Sequence, residues 1–152
     1  MSMTTLLAKI SRLHYPRPPA TPAQIAAFET RVGWVLDEDL RAFYLHCNGA
    51  TLFAPLPDVN YHLLPLDRIV RARVAILGRD EDGAGPASHY CVVDMQDGDY
   101  VIVDVAQRAG ASLPLFDAWH ETYPATKRIA SSFGEFLEKA LSSGNESFWL
   151  DG

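Results

Sequence analysis

The sequence predicts an α+β fold, helices followed by a meander of antiparallel strands and a closing helix, on three observations. Capped helix signals fill the first third of the chain, residues 90–105 carry a β-hairpin marked by Asp97-Gly98, and a helical apolar stripe closes the pattern near Leu141. Helices and strands that are segregated rather than alternating point to α+β layers instead of a parallel α/β sheet.

The elements follow in order. Residues 3–14 place Leu6, Leu7, Ile10 and Leu13 on one helical stripe. Pro16, Pro18 and Pro19 force residues 15–20 into an extended connector. A second helix starts at Thr21, which caps it, while Pro22 suits the first helical position and Gln24 completes a capping box. Its buried face is Ile25, Phe28 and Val32, and Gly33 ends it. A third helix spans residues 37–47, where Asp37, Glu38 and Asp39 place negative charge at its positive end. Leu40, Phe43 and Tyr44 face inward, and Asn48-Gly49 is the expected left-handed stop.

Residues 54–60 read as a loop and residues 61–64 as a short strand. Residues 66–77 read as a helix through Ile69, Val70, Arg73 and Leu77. The glycine-rich, polar residues 78–88 form an exposed loop. Residues 90–95 and 100–105 are rich in Val, Ile and Tyr, and Gly98 accepts the positive φ that the intervening turn demands. Residues 113–119 supply a third strand, with Pro114 at its start or on an edge. Residues 128–141 close the fold as a helix capped by Ser131 or Ser132. The 152 residues are expected to form one domain. Residues 1–20 are its N-terminal helix and connector, 21–141 its core and 142–152 a tail.

Thirteen basic against 19 acidic residues leave a net charge of about −6. Nucleic-acid binding needs a basic patch to neutralise phosphates, and the spaced Arg68, Arg71 and Arg73 do not make one. No stretch approaches the ~20 apolar residues of a membrane span. Cys47 and Cys91 sit in apolar runs at no disulfide or metal spacing, which suits buried thiols in the cytoplasm.

The residues that could carry catalysis are dispersed. His14, His46, His62, His89 and His120 show no metal-ligand spacing, and His120-Glu121 would point to opposite faces of a strand. Cys47 and His46 are adjacent on one helix and do not face each other. No nucleophile elbow, phosphate loop or calcium loop is present. The aspartates around the hairpin are explained by turn chemistry and solubility. The expectation is a non-enzymatic chain without metal or cofactor.

Three segments together resemble the SUKH superfamily, which contains a fungal cell-wall-synthesis regulator and many bacterial toxin-immunity proteins. They are Phe28-Glu29 to Gly33 leading through Leu36 to the aromatic helix and Asn48-Gly49, the hairpin Val92 to Asp104, and Ile129 to Leu137 with its Ser132-Phe133 and Phe136-Leu137 pairs. The match spans about residues 22–141 in the family's order. Asp37 replaces the family's usual proline, and a capping Asp starts the same helix. The resemblance implies a twisted, mainly antiparallel sheet flanked by helices, used as a protein-binding scaffold, and in bacteria an immunity protein that blocks a toxin, often of nuclease or deaminase type. No catalytic residues of the family exist to carry over.

The expected partner is therefore a cognate toxin domain with a basic face, bound by a monomer or weak homo-oligomer. The acidic loops offer the docking surface, through Asp58 and Tyr61 and through Asp80, Glu81 and Asp82. Gly33, Asp37, Asn48, Gly49, Asp97 and Gly98 are structural. The alternatives are a small hydrolase or ligand-binding enzyme with a convergent pocket, or a homo-oligomeric structural or regulatory subunit using the apolar tail Phe148-Trp149-Leu150.

Overall fold

A computed structural model describes residues 1–54, 60–96, 98–108 and 110–151. Its helices are α1 (Met3–Leu13), α2 (Pro22–Val32), α3 (Glu38–His46), α4 (Ala72–Leu77) and α5 (Phe133–Leu141). Its strands are β1 (Tyr15–Pro16), β2 (Ala50–Thr51), β3 (His62–Leu63), β4 (His89–Asp94), β5 (Tyr100–Asp104), β6 (Leu115–Ala118) and β7 (Lys127–Ala130). The seven strands form one antiparallel, open sheet in which each pairs with its neighbours in sequence. The fold is α+β.

Local chemistry sets the helix ends. Thr21 Oγ1 accepts the N–H of Gln24 at 3.1 Å, and Gln24 Oε1 accepts that of Thr21 at 2.8 Å, a complete capping box. Gly33 closes α2 at φ 79°, in the left-handed region. Asp37 Oδ1 accepts the Leu40 N–H at 2.9 Å and starts α3. The end of α3 differs from the expected Asn48-Gly49 stop. Cys47 caps it in an extended conformation, and Asn48 instead turns its Oδ1 to the Leu66 N–H at 2.9 Å. Gly49, at φ 97°, lies where a Cβ would be 2.8 Å from Leu63 O and 2.9 Å from Pro65 N. Its role is close backbone approach.

The helix expected over residues 66–77 is interrupted. Leu66–Arg68 is a 3₁₀ turn, and the chain extends at Ile69 before α4 begins. Tertiary pairing wins here: Arg71 bridges Tyr90, Val70 O accepts the Cys91 N–H at 3.0 Å, and Arg31 Nη2 donates to the carbonyls of Leu66 and Ile69. The closing helix is likewise shorter than residues 128–141. Lys127–Ala130 pairs with β6 as an edge strand, and α5 starts beyond Ser132, whose Oγ accepts the Glu135 N–H at 3.1 Å.

The sheet divides two apolar clusters. On one face Val101, Val103 and Leu115 join Leu6, Ile10, Ile25, Phe28, Phe43, Phe133 and Phe136, so α1, α2, α3 and α5 cover this side. A bulge between Cys91 and Val93 lets consecutive Val92 and Val93 both enter that core. On the other face Cys91, Ile102, Phe116 and Ala118 meet Ala72 at the start of α4 and Tyr123. The tail docks on its own fold: Trp149 is buried against Tyr61 and Phe148, and Asn60 is held by Asn145 through bonds of 2.9 and 2.6 Å.

Candidate functional site

The acidic loop after α4 is built on one arginine. Arg73 projects from the first turn of α4 and is almost fully buried. Its Nε donates to Asp80 Oδ1 at 2.8 Å and its Nη1 to Asp82 Oδ1 at 2.8 Å and to Gly85 O at 3.1 Å. Arg71 Nη1 adds a second contact to Asp80 at 3.3 Å. The Arg73 guanidinium beside Asp80 holds its carboxyl below the usual range, despite partial desolvation. Asp80 and Asp82 are thus tied to arginine, and among the described residues no arginine engages the exposed Glu81.

The second expected loop does not offer the same surface. Tyr61 is fully buried, packed on Phe136 and Trp149, and its hydroxyl donates to Glu146 O. A side chain so enclosed cannot meet a partner, which corrects the expectation for Tyr61. Its aromatic bulk beside polar neighbours looks identical in sequence whether the ring points in or out. Asp58 and, in the hairpin turn, Asp97 lie outside the described residues; Gly98 adopts φ 83°.

Every histidine has a structural partner. His14 Nδ1 meets the Phe53 N–H at 3.0 Å, His46 Nε2 contacts Ser11 Oγ at 2.6 Å, and His62 lies 3.5 Å from the Gln96 amide. His89 is buried between Tyr123 OH at 2.9 Å and Asp104 Oδ2 at 3.3 Å. Burial lowers its pKa, against the pull of Asp104. Burial alone would raise the Asp104 carboxyl, but the Ser88 hydroxyl, the Gln107 amide, the Ala106 N–H and His89 together hold it low. His120 Nδ1 contacts Asp99 Oδ1 at 2.7 Å. Both thiols are buried and free, and burial pushes Cys47 up to about 12 and Cys91 higher still. Neither is a nucleophile near neutral pH. No group of three or more His, Cys, Asp or Glu side chains among the described residues could hold a metal.

A groove of about 550 Å³ opens along β2, β3, β4 and β5 and is walled by Arg17, Thr51, His62, Arg68, Asp94 and Tyr100. His62 and Asp94 face each other across the β3–β4 pair without forming an ion pair, and Asp94 Oδ1 accepts the Gln96 N–H at 2.9 Å. Thr51, His62 and Asp94 lie in one cross-strand row of this groove, and among the described residues no hydrogen bond joins His62 to either neighbour. Sequence reasoning missed the clamp that Arg73 makes on Asp80, Asp82 and Gly85, and the meeting of Asp99, Asp117, Trp119 and His120. Residues 99 and 117 come together only because β5 pairs β6.

Among the described residues the chain is a seven-stranded antiparallel meander with helices packed on it. The sequence matches the model of the SMI1 / KNR4 family (SUKH-1) over residues 19–139, and the chain belongs to that family. The match covers most of the chain and includes α2, α3, the whole of β2 to β7 and most of α5. Family membership describes the chain coarsely as a protein-binding module of the immunity type. No curated protein sequence matches it. No described helix is long and apolar enough to cross a membrane.

Proposed function

We propose that this protein is an immunity protein that neutralises a nuclease- or deaminase-type toxin by direct binding, without catalysis of its own. The observation that carries the reading is the SUKH-1 family match over residues 19–139. The histidines' engagement in structural pairs and the protonated thiols support binding over chemistry.

Residues 1–152 act in this reading as one cytoplasmic module, a monomer or weak homo-oligomer. The net charge of −6 favours a basic partner face and speeds its approach. The docking surface is placed on the acidic loops, with Asp80 and Asp82 held rigid by Arg73, Glu81 free to meet a cation, and Asp58 contributing from its own loop.

The test pairs this chain with the toxin encoded beside its gene. A 1:1 complex in calorimetry and restored growth of cells expressing the toxin are expected. A neighbouring toxin that neither binds nor is neutralised overturns the reading.

A further inference from the structure

A cavity of about 380 Å³ lies where the tip of the β4–β5 hairpin, the end of β6 and the C-terminal tail converge. Its walls include Met95, Asp99, Asp117, Trp119, Trp149 and Leu150. Trp119 is 45% exposed and Leu150 75%, so large apolar surface stands in water at its mouth. A second depression, about 300 Å³, shares Asp117 and Trp119 with it.

The charges at this place are unbalanced. Asp99 is engaged by the His120 backbone N–H at 3.0 Å and by the His120 ring at 2.7 Å. Asp117 is half-buried at the end of β6, next to the indole of Trp149, which hydrogen-bonds to it. Burial raises its pKa and the charge of Asp99 raises it further, while Lys127 opposes both. Lys127 sits across the β6–β7 pair from Asp117, but its ammonium is directed to Trp149 O at 3.1 Å. An added cation would relieve both the desolvation and the mutual repulsion of the two carboxylates.

We propose that this cavity receives an arginine side chain of the protein partner, its guanidinium stacked on Trp119 and paired with Asp99 and Asp117. The inference rests on the binding-module reading above, and it names a recognition point that reading does not. Arginine fits better than lysine because a planar guanidinium covers an indole face while presenting several donors to two acceptors, whereas an ammonium is a strongly hydrated point charge. A cavity at the small end of the ligand-pocket range takes one side chain rather than a helix or strand. Trp is also among the residue types enriched at interface hot spots, as is Arg on the partner side.

The probe is the blocked tripeptide acetyl-Gly-Arg-Gly-amide, titrated into the full chain and followed by amide and indole NMR signals. Its citrulline counterpart keeps the shape and removes the charge. Saturable shifts of the Trp119 and Trp149 indole N–H signals are expected with the arginine peptide, and binding weaker by about fivefold or more with citrulline. Trp119→Ala removes an exposed side chain and should leave the rest of the spectrum unchanged while losing the response; Asp117→Asn should weaken it by a similar factor. Equal shifts with both peptides, an unaltered titration in Trp119→Ala, or no response at all would overturn the proposal. The two readings separate cleanly. A cognate toxin bound at full affinity by Trp119→Ala sinks the arginine site and leaves the immunity role standing. Arginine capture by a chain that ignores its neighbouring toxin does the reverse.

Discussion

Asp37 Oδ2 accepts the backbone N–H of Leu113 at 2.9 Å, 76 residues further along the chain, while its Oδ1 caps α3. One buried carboxylate therefore fastens the start of a helix to the lead-in of β6. Replacing it with alanine removes the cap, about 1 kcal/mol, and strands a buried N–H, about 1–3 kcal/mol. Asp37→Ala should thus lose about 2–4 kcal/mol of unfolding free energy in denaturant titration. Asp37→Asn, which keeps one acceptor, should lose roughly half as much. Equal losses in the two variants would show that the second bond contributes nothing.

Stability should fall as the medium is acidified below the ordinary histidine pKa. His89 titrates lower when folded than when unfolded, so below about pH 6.5 the unfolded chain takes up a proton that the folded one refuses. Stability is then lost from pH 6.5 down to the folded pKa. His14 adds a smaller term of the same sign, reduced by its exposure. Asp104, held low when folded, extends the loss further: its contribution is present above about pH 3.8 and disappears as pH falls through its folded value. His89→Gln should flatten the pH dependence of stability just below about pH 6.5, by at most about 1.4 kcal/mol per pH unit, the slope one proton gives. An unchanged slope would remove His89 as the cause.

Two glycines with positive φ should respond differently to alanine. Gly33 has open space around its missing Cβ, so Gly33→Ala should cost about 1 kcal/mol for the backbone alone. Gly49→Ala drives a methyl against Leu63 O and Pro65 N and should cost about 1–3 kcal/mol more. Thermal denaturation of both variants checks the ranking.

Arg73 is the mechanical centre of the loop between α4 and β4. Arg73→Lys keeps the charge but cannot serve Asp80, Asp82 and Gly85 O together. Proteolysis within residues 79–86 should accelerate in this variant while the sheet's slow-exchanging amides stay protected. Loss of protection throughout would mean that Arg73 supports the whole fold.

Thiol reagents should find nothing to modify in the native protein. Cys47 and Cys91 should react only after denaturant is added, because both are buried and protonated. Rapid labelling of either under native conditions would contradict their packing.

How much of this was legible depended on whether a signal was local. The Thr21–Gln24 box and the Asp37 cap are made by residues three apart, so the sequence displays them whole. The hairpin, too, is announced by its own turn. Arg71 is different: its apolar neighbours continue a helical period, yet its backbone bridges Tyr90 and breaks the helix from 19 residues away. Ile129 falls within residues 128–141, which read as the closing helix, but pairing with β6 draws residues 127–130 into the sheet. Two-residue strands such as Tyr15–Pro16 leave too little pattern to read at all. For the site, the acidic loop was visible as composition, but its arginine clamp, the burial of Tyr61 and the meeting of Asp99 with Asp117 exist only once strands are paired.

The borders of the sheet bear on how another molecule can approach it. At one margin stands Tyr15–Pro16, where proline has no N–H to offer; at the other stands Lys127–Ala130, whose two cationic residues, Lys127 and Arg128, are exposed, Lys127 with its ammonium bonded to Trp149 O. A stray β-segment, whether from a neighbour or from a second copy, meets a missing donor on one flank and two cations on the other. Both features disfavour growth of the ladder by strand addition.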